Sequence, residues 1–235
     1  MPSLMGVRKT ALLYKEPAVA ADLQASTYET FFQPSFTGGD SSDAAIDIGT
    51  AYSSRRVFLL ITNRFGLGET LNGGSIGGES VTVHQATDVF SAQDSCVYAV
   101  SAVVSAGDTG TVVLNFSAGP ASDTHCFVFT VDDNRISGSP IITNAEVSSG
   151  TSITPADFSA TAGVPIFAAS SAPGNVTSSE AISADDTFTQ QEGNNKRGMA
   201  FHALSPASSD PTYSTSMSWT TSADRALTLV TWAAA

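Results

Sequence analysis

The sequence predicts an all-β fold, an antiparallel β-sandwich or jelly-roll-like domain over residues 26–235 with an extended N-terminal arm over residues 1–25. About a dozen short apolar segments follow one another at spacings of 8–15 residues, and turn-forming residues separate them, as is typical of sandwiches and jelly rolls. No segment of ordinary helix length carries a periodic apolar stripe. No proline-rich or charged linker divides the chain after residue 26, which favours one large domain over two small ones.

The first 25 residues differ in composition from the rest of the chain. They hold three of the ten basic residues, Arg8, Lys9 and Lys15. Residues 18–25 form the only helix-friendly stretch, and Pro17 precedes it at a position where helices commonly start. We therefore expect this segment to stand apart from the sandwich as an arm.

The strands of the first half follow from the periodicity of their apolar residues. Residues 27–37 are rich in aromatic side chains and lead into the turn Gly38-Gly39-Asp40. Residues 56–62 are continuously apolar, which predicts a strand that is covered on both faces. Residues 125–131 are expected to form a strand with one face made of His125, Phe127, Phe129 and Val131.

Two pairs of segments predict β-hairpins. Residues 96–104 and 110–116 alternate on either side of a Gly107-Asp108 turn, and residues 212–219 and 226–232 flank Ser222–Arg225. A long surface loop is expected over residues 170–186. The remaining strands are expected at residues 80–84, 141–143, 164–169, 187–190 and 198–204.

Charge and composition exclude several classes of function. The formal net charge is −12 with a pI near 4.3, and no cluster of lysine and arginine offsets it, so nucleic acid and anionic membrane surfaces are not expected partners. No apolar run approaches the ~20 residues of a membrane helix. Arg8 and Lys9 lead into only four apolar residues before Lys15-Glu16-Pro17. A secretory signal is therefore not expected, and we expect the protein to be made in the cytoplasm.

One nucleophile-like pattern occurs, G-x-S-x-G at Gly73-Gly74-Ser75-Ile76-Gly77. In α/β hydrolases this pattern forms the nucleophile elbow, which needs a strand before the serine and a helix after it. Because residues 80–84 predict a strand, we interpret the pattern as a glycine-rich turn. The three histidines, His84, His125 and His202, each stand alone in a predicted strand and are interpreted as structural.

Carboxylates and cysteines receive a structural interpretation as well. Aspartate side chains bond the local backbone in turns, which accounts for Asp132-Asp133-Asn134, Asp185-Asp186 and the spaced loop residues Asp40, Asp43 and Asp47. Asp132-Asp133-Asn134 lacks the spacing of an EF-hand, although another calcium site there stays an alternative. Cys96 and Cys126 lie within apolar strands, so two buried thiols are favoured over a disulfide bridge. The sequence therefore predicts no catalytic, cofactor-binding or metal-binding residue.

The tryptophans and the paired arginines are also interpreted as structural. Trp219 and Trp232 lie in alternating segments, and Tyr213 and Met217 share a face with Trp219. Packing in a core or between subunits is favoured over stacking on a sugar ring. Arg55-Arg56 is interpreted as the solvated end of the most apolar strand rather than as an anion site.

A family resemblance rests on the order of turns and strands over residues 45–132. Residues 47–59 run from an Ile-Gly-Thr-Ala turn through arginine into a hydrophobic strand. The Ser75-Ile76-Gly77-Gly78 turn and a strand of threonine and valine follow. Next comes a Tyr-Ala-Val…G-x-x-G-x-V-x-x-x-F segment from Tyr98 to Phe116. This order resembles accessory β-sandwich proteins in the virions of tailed bacteriophages and gene transfer agents. The resemblance implies a head decoration, spike or tail component, and it assigns no functional residue.

The sequence therefore predicts a non-enzymatic structural protein of a tailed-phage-like particle, located in the virion as a capsid decoration (cement) or spike protein or a tail component. Expected partners are major capsid or tail proteins and further copies of the chain. Docking is expected through the arm and the aromatic strand after it, with the interface residues Arg8, Lys9, Tyr14, Lys15, Phe31 and Phe32. Two alternatives stay open: a carbohydrate-binding module that attaches to host surface polysaccharide, and a polysaccharide- or ester-cleaving enzyme.

Overall fold

The computed structural model describes residues 26–64, 69–85, 95–118, 124–171, 181–184, 188–194, 198–203 and 209–235. These residues form eighteen β-strands and one 3₁₀ turn, Asp133–Arg135, and every strand pair is antiparallel. The all-β sandwich class is thus confirmed. The predicted arm, residues 1–25, lies outside the described residues, so the boundary at residue 26 stays a prediction.

The described strands form three large sheets and one two-stranded sheet, and the first of the large ones is the central sheet. Its strand order across the sheet is β1 (Ser26–Phe32), β10 (His125–Asp132), β4 (Arg55–Arg64), β8 (Ser95–Val103) and β7 (Thr82–Gln85). The front sheet has the order β2 (Phe36–Thr37), β3 (Asp40–Asp47), β9 (Thr109–Phe116), β5 (Leu71–Ile76) and β6 (Glu79–Ser80).

The second half of the chain forms the back sheet. Its order is β11 (Ile136–Ile153), β18 (Thr215–Ala234), β13 (Ile166–Ser171), β16 (Gly198–Ala203) and β15 (Phe188–Asn194), and β14 (Ala181–Ala184) also pairs with β18. A separate pair, β12 (Phe158–Ala160) and β17 (Asp210–Tyr213), completes the described strands.

The central sheet is buried on both faces. One face and the front sheet enclose an apolar core that includes Val57, Leu59 and Ile61 of β4. The other face packs on the back sheet, where Phe58 and Leu60 meet Phe167 and Trp232. Successive residues of a strand point to opposite faces, so β4 must be apolar at consecutive positions. The predicted strand covered on both faces is confirmed, as is the common buried face of Phe127, Phe129 and Val131 with His125.

The predicted hairpin around Gly107-Asp108 is wrong. Strand β8 pairs with β4 and β7 in the central sheet, whereas β9 pairs with β3 and β5 in the front sheet. The turn therefore carries the chain from one sheet to the other. Alternation and a Gly-Asp turn occur in both kinds of connection, so this pattern does not distinguish a hairpin from a crossing between sheets.

Other elements of the second half also differ from expectation. Ser222–Arg225 is not a hairpin turn, because β18 runs through it while β11 pairs alongside, with Val147 opposite Arg225. The predicted loop over residues 170–186 contains the end of β13 and all of β14, and residues 172–180 and 185–187 lie outside the described residues. The predicted strand over residues 80–84 is divided between β6 and β7, which belong to different sheets.

Within the described ranges, no helix is long and apolar enough to span a membrane.

Candidate functional site

A fully buried arginine lies where the chain crosses from the central to the front sheet. The Arg55 side chain has no exposed surface. Its Nε donates to the Val104 carbonyl at 2.8 Å, and its terminal nitrogens donate to the carbonyls of Gly49, Ala106 (3.1 Å) and Gly107 (2.7 Å). The guanidinium therefore holds the loop that connects β8 in the central sheet to β9 in the front sheet. The interpretation of Arg55 as solvated is wrong, because these carbonyls replace water as acceptors.

Backbone carbonyl dipoles and more distant acidic side chains stabilise the positive charge of Arg55. Burial lowers the pKa of Arg55 from its ordinary value, and the surrounding Tyr52, Asp108 and Glu29 oppose that shift. Arginine stays protonated in proteins, so the site keeps a buried positive charge. This charge is bound to backbone oxygens on its own loops, which makes it a structural hub rather than an anion receptor.

A second polar cluster lies on the face of the central sheet that packs toward the back sheet. Arg56 Nε lies 2.5 Å from Asp133 Oδ1, and Arg56 Nη1 donates to Ser101 Oγ at 3.1 Å. Ser101 Oγ is also 2.8 Å from His84 Nε2. The His84 ring stacks on Phe58 with centroids 5.5 Å apart. The cluster thus joins strands β4, β7 and β8 to the turn that begins the back sheet.

The His84–Ser101 pair has the separation of a nucleophile and its base, but its surroundings favour a structural role. Ser101 has no exposed surface, and its oxygen already accepts a hydrogen bond from Arg56. Burial, and secondarily Arg56, lower the pKa of His84 to about 4, so the ring is neutral at pH 7. A nucleophile must reach its substrate, and a buried hydroxyl does not. The pair instead ties β7 to β8.

The aspartates at the joint between the central and back sheets are used internally. Asp132 Oδ1 accepts from Ser54 Oγ at 2.6 Å and from the Asn134 amide at 3.1 Å, which caps the 3₁₀ turn. Arg135 Nε lies 4.0 Å from the other Asp132 oxygen. Among the described residues, no group of three or more His, Cys, Asp or Glu side chains is placed to hold a metal ion.

Neither the G-x-S-x-G segment nor the spaced aspartates form loops. Gly73, Gly74 and Ser75 lie inside β5, and the turn comes later at Gly77-Gly78. A Cβ at Gly74 would overlap the Val113 carbonyl oxygen of β9, so glycine is required by close strand approach. Asp40, Asp43 and Asp47 lie in β3 of the front sheet rather than in a loop.

The aromatic side chains that are described lie mainly in cores. Trp232, Tyr213 and Met217 are buried, which confirms core packing for these three, while the side chain of Trp219 lies outside the description. Cys126 is a buried free thiol, as predicted, and burial raises its pKa well above the ordinary value. The side chains of Cys96 and His202, and residues 185–186, lie outside the description too.

Two of the six predicted interface residues are described. Phe31 and Phe32 are half-buried in β1, the edge strand of the central sheet, and they pack toward its two opposite faces. Phe31 contacts Phe127 with ring centroids 6.3 Å apart. Arg8, Lys9, Tyr14 and Lys15 lie outside the described residues.

An open groove of about 550 Å³ lies at one end of the front sheet. Small residues line it: Ala45, Gly77, Gly78, Ala106, Thr109, Gly110 and Thr111. The exposed residues Asp47, Glu79 and Asp108 adjoin it, because Asp47 pairs with Thr109 and the other two are sequence neighbours of lining residues. One Asp47 oxygen accepts from the Gly49 amide at 2.9 Å, and one Asp108 oxygen accepts from the Ala51 amide at 2.8 Å. Sequence reasoning missed this site because Gly and Thr reveal no surface until β3, β5 and β9 are paired. The one signal in the sequence is the acidic residue Asp47, which lies beside the groove because it pairs with Thr109.

No protein-family model, curated protein or solved structure matches this chain.

Proposed function

We propose that the chain is a non-enzymatic structural protein of a tailed-phage-like particle, a capsid decoration or spike protein or a tail component. In this proposal it docks through its N-terminal segment and associates with further copies of itself. The sequence resemblance over residues 45–132 suggests this role, and the physical character of the described residues supports it.

The supporting observation is that the polar side chains best placed for chemistry hold the three sheets together. Arg55 bonds four backbone carbonyls across the central and front sheets. Arg56 and Asp133 join the central sheet to the start of the back sheet. Polar contacts therefore stabilise both the junction of the central and front sheets and the junction of the central and back sheets. A rigid layered fold of this kind suits a protein that occupies a fixed position in an assembly.

Charge supports docking through the N-terminal segment. Four arginine side chains are described by the structure. Arg55 and Arg225 are buried, and Arg56 and Arg135 each lie within 4.0 Å of a carboxylate oxygen. The accessible charge on this part of the chain is therefore mainly negative. The basic residues of the first 15 positions offer the complementary sign.

The test is quantitative mass spectrometry of particles banded on a density gradient from the producing cells. The proposal predicts that the chain co-bands in a fixed ratio to the major capsid protein, and the ratio separates many-copy decoration from a few-copy tail part. If the chain stays in the soluble fraction, the proposal is wrong and the sugar-binding and enzymatic alternatives take its place.

A matched pair of variants tests the docking segment. Replacing Arg8 and Lys9 together by alanine removes two neighbouring positive charges and should deplete the chain from particles. Replacing Lys196 and Arg197 by alanine removes neighbouring positive charges elsewhere and should leave incorporation unchanged. Equal incorporation of both variants would show that docking does not use the basic segment.

A further inference from the structure

The front sheet carries one sign of charge throughout its strands. Strands β2, β3, β5, β6 and β9 contain the carboxylates Asp40, Asp43, Asp47 and Glu79 and no lysine, arginine or histidine. Asp108, which is exposed, adds a fifth carboxylate just before β9. The groove at the end of this sheet is therefore an anionic surface with a floor of small residues.

The floor of the groove is closely packed on one side and open on the other. Gly77 and Gly110 lie so close together that a Cβ at Gly110 would come within 3.0 Å of the Gly77 Cα. Above Gly78, in contrast, a Cβ would have no atom within 4 Å. The backbone at the floor is used within the protein, since the Gly77 amide donates to the Thr111 carbonyl and the Ile48 amide donates to the Asp108 carbonyl. The exposed Thr109 and Thr111 hydroxyls are therefore the hydrogen-bonding groups offered to a ligand there, and the neighbouring carboxylates would attract cations.

The chain itself contains one segment with the complementary chemistry. Residues 1–15 hold three basic residues and no acidic residue, whereas the rest of the chain holds seven basic and 22 acidic residues.

We propose that the groove flanked by Asp47, Glu79 and Asp108 is the acceptor for the basic segment of a second copy of the chain, centred on Arg8 to Lys15. This inference rests on the proposed function, because it names the surface through which copies associate. Two chains that each carry −12 repel one another. Exchange of a basic segment into an acidic groove gives the attractive contact that such subunits need.

The position of the chain entry allows this exchange. Ser26 pairs with Val131, which pairs with Arg56, so β1 begins at the end of the sandwich where Arg55 bonds Ala106 and Gly107 beside the groove. The 11-residue step from Lys15 to Ser26 spans up to about 36–40 Å when extended. Packed sheets are only ~10 Å apart, so the segment can pass its own sandwich and reach a neighbour.

Zero-length carbodiimide crosslinking of the full chain tests the proposal, with equal amounts of ¹⁴N- and ¹⁵N-labelled protein mixed before reaction. Lys9, Lys15 and Lys196 are the lysines of the sequence, so a crosslink identifies its segment. We expect mixed-isotope crosslinks from Lys9 or Lys15 to Asp47, Glu79 or Asp108. Crosslinks of a single isotope only, crosslinks mainly to Glu146 or Asp157 of the second half, or no crosslinks would each overturn the proposal.

Two matched substitutions separate the groove from general charge. Thr111→Arg places a cation in the groove and leaves every carboxylate available, so mixed crosslinks should fall about tenfold. Thr151→Arg makes the same change at another exposed strand position, on β11, and should leave the yield unchanged. Equal yields from the two variants would overturn the proposal. Because these measurements use purified protein, their failure is distinguishable from failure of the chain to co-band with particles.

Discussion

The buried Arg55 gives the sharpest prediction about what stabilises this fold. Replacing Arg55 by methionine keeps a long unbranched side chain and removes every hydrogen-bond donor. The carbonyls of Gly49 and Val104 belong to buried residues, whereas those of Ala106 and Gly107 belong to exposed residues that water can solvate. The variant therefore leaves two buried carbonyls without their donors.

The expected magnitude follows from those two carbonyls. A buried acceptor left without a partner costs about 1–3 kcal/mol, so two cost about 2–6 kcal/mol. We expect Arg55→Met to lower the free energy of unfolding by about 4 kcal/mol, a large part of the ~5–15 kcal/mol typical of folded domains. Arg55→Lys, which keeps the charge but loses the planar fork, should lose about half as much.

Equilibrium unfolding in guanidinium chloride, followed by tryptophan fluorescence, measures the change. Trp232 reports on the core between the central and back sheets, because it contacts Phe58 at a centroid distance of 5.3 Å. Arg135→Met is the matched control: Arg135 is 38% exposed and 4.0 Å from Asp132, so its loss should cost at most about 1 kcal/mol. If the two variants lose equal stability, the reasoning about Arg55 is refuted.

Three further predictions concern single side chains. The pKa of His84 is lowered to about 4 in the folded protein. Between pH 6.5 and 4 the unfolded chain therefore binds a proton at His84 that the folded chain does not bind, and the free energy of unfolding falls as the pH drops through this range. His84→Gln should flatten this loss, on the order of 2 kcal/mol, in unfolding curves at several pH values; an unchanged pH profile would contradict it. Gly74→Ala should lower the melting temperature by more than Gly138→Ala, whose positive φ is strained but whose Cβ meets no atom within 4 Å; equal shifts would remove the close-approach argument. In a Cys96→Ser background, Cys126 should react with a thiol reagent at pH 8 only after denaturation, and rapid labelling of native protein would show the thiol to be accessible.

Patterns along the chain were enough to predict the fold class and its most deeply buried strand. The unbroken apolar run of β4 has one physical meaning, a strand with an apolar layer on each face, and both layers are present. The alternation of β10 likewise placed Phe127, Phe129 and Val131 on one buried face. These features depend on side-chain period, which is local and therefore visible in sequence.

The same patterns did not predict which strands pair. The hairpin expected from residues 96–104 and 110–116 shares its alternation and turn chemistry with a crossing between sheets. In the folded protein the crossing is stabilised by Arg55, whose guanidinium donates to loop carbonyls 49 to 52 residues away. The continuation of β18 through Ser222–Arg225 likewise depends on β11, which pairs along it with shifts of register on either side of Gly150.

The candidate sites divide in the same way. The sequence by itself determined the sign and position of the charges: a basic start, and acids concentrated where β3 would form. Only the tertiary structure decided that Arg56, Ser101, His84 and Asp133 form one network, since hydrogen bonds join residues 17 to 77 positions apart. The groove lined by Thr109 also depends on the tertiary structure, because its glycine, alanine and threonine residues form one surface only when β3, β5 and β9 are paired. The local order of residues sets the side-chain period and the charge of each segment. Long-range strand pairing decides which side chains come into contact.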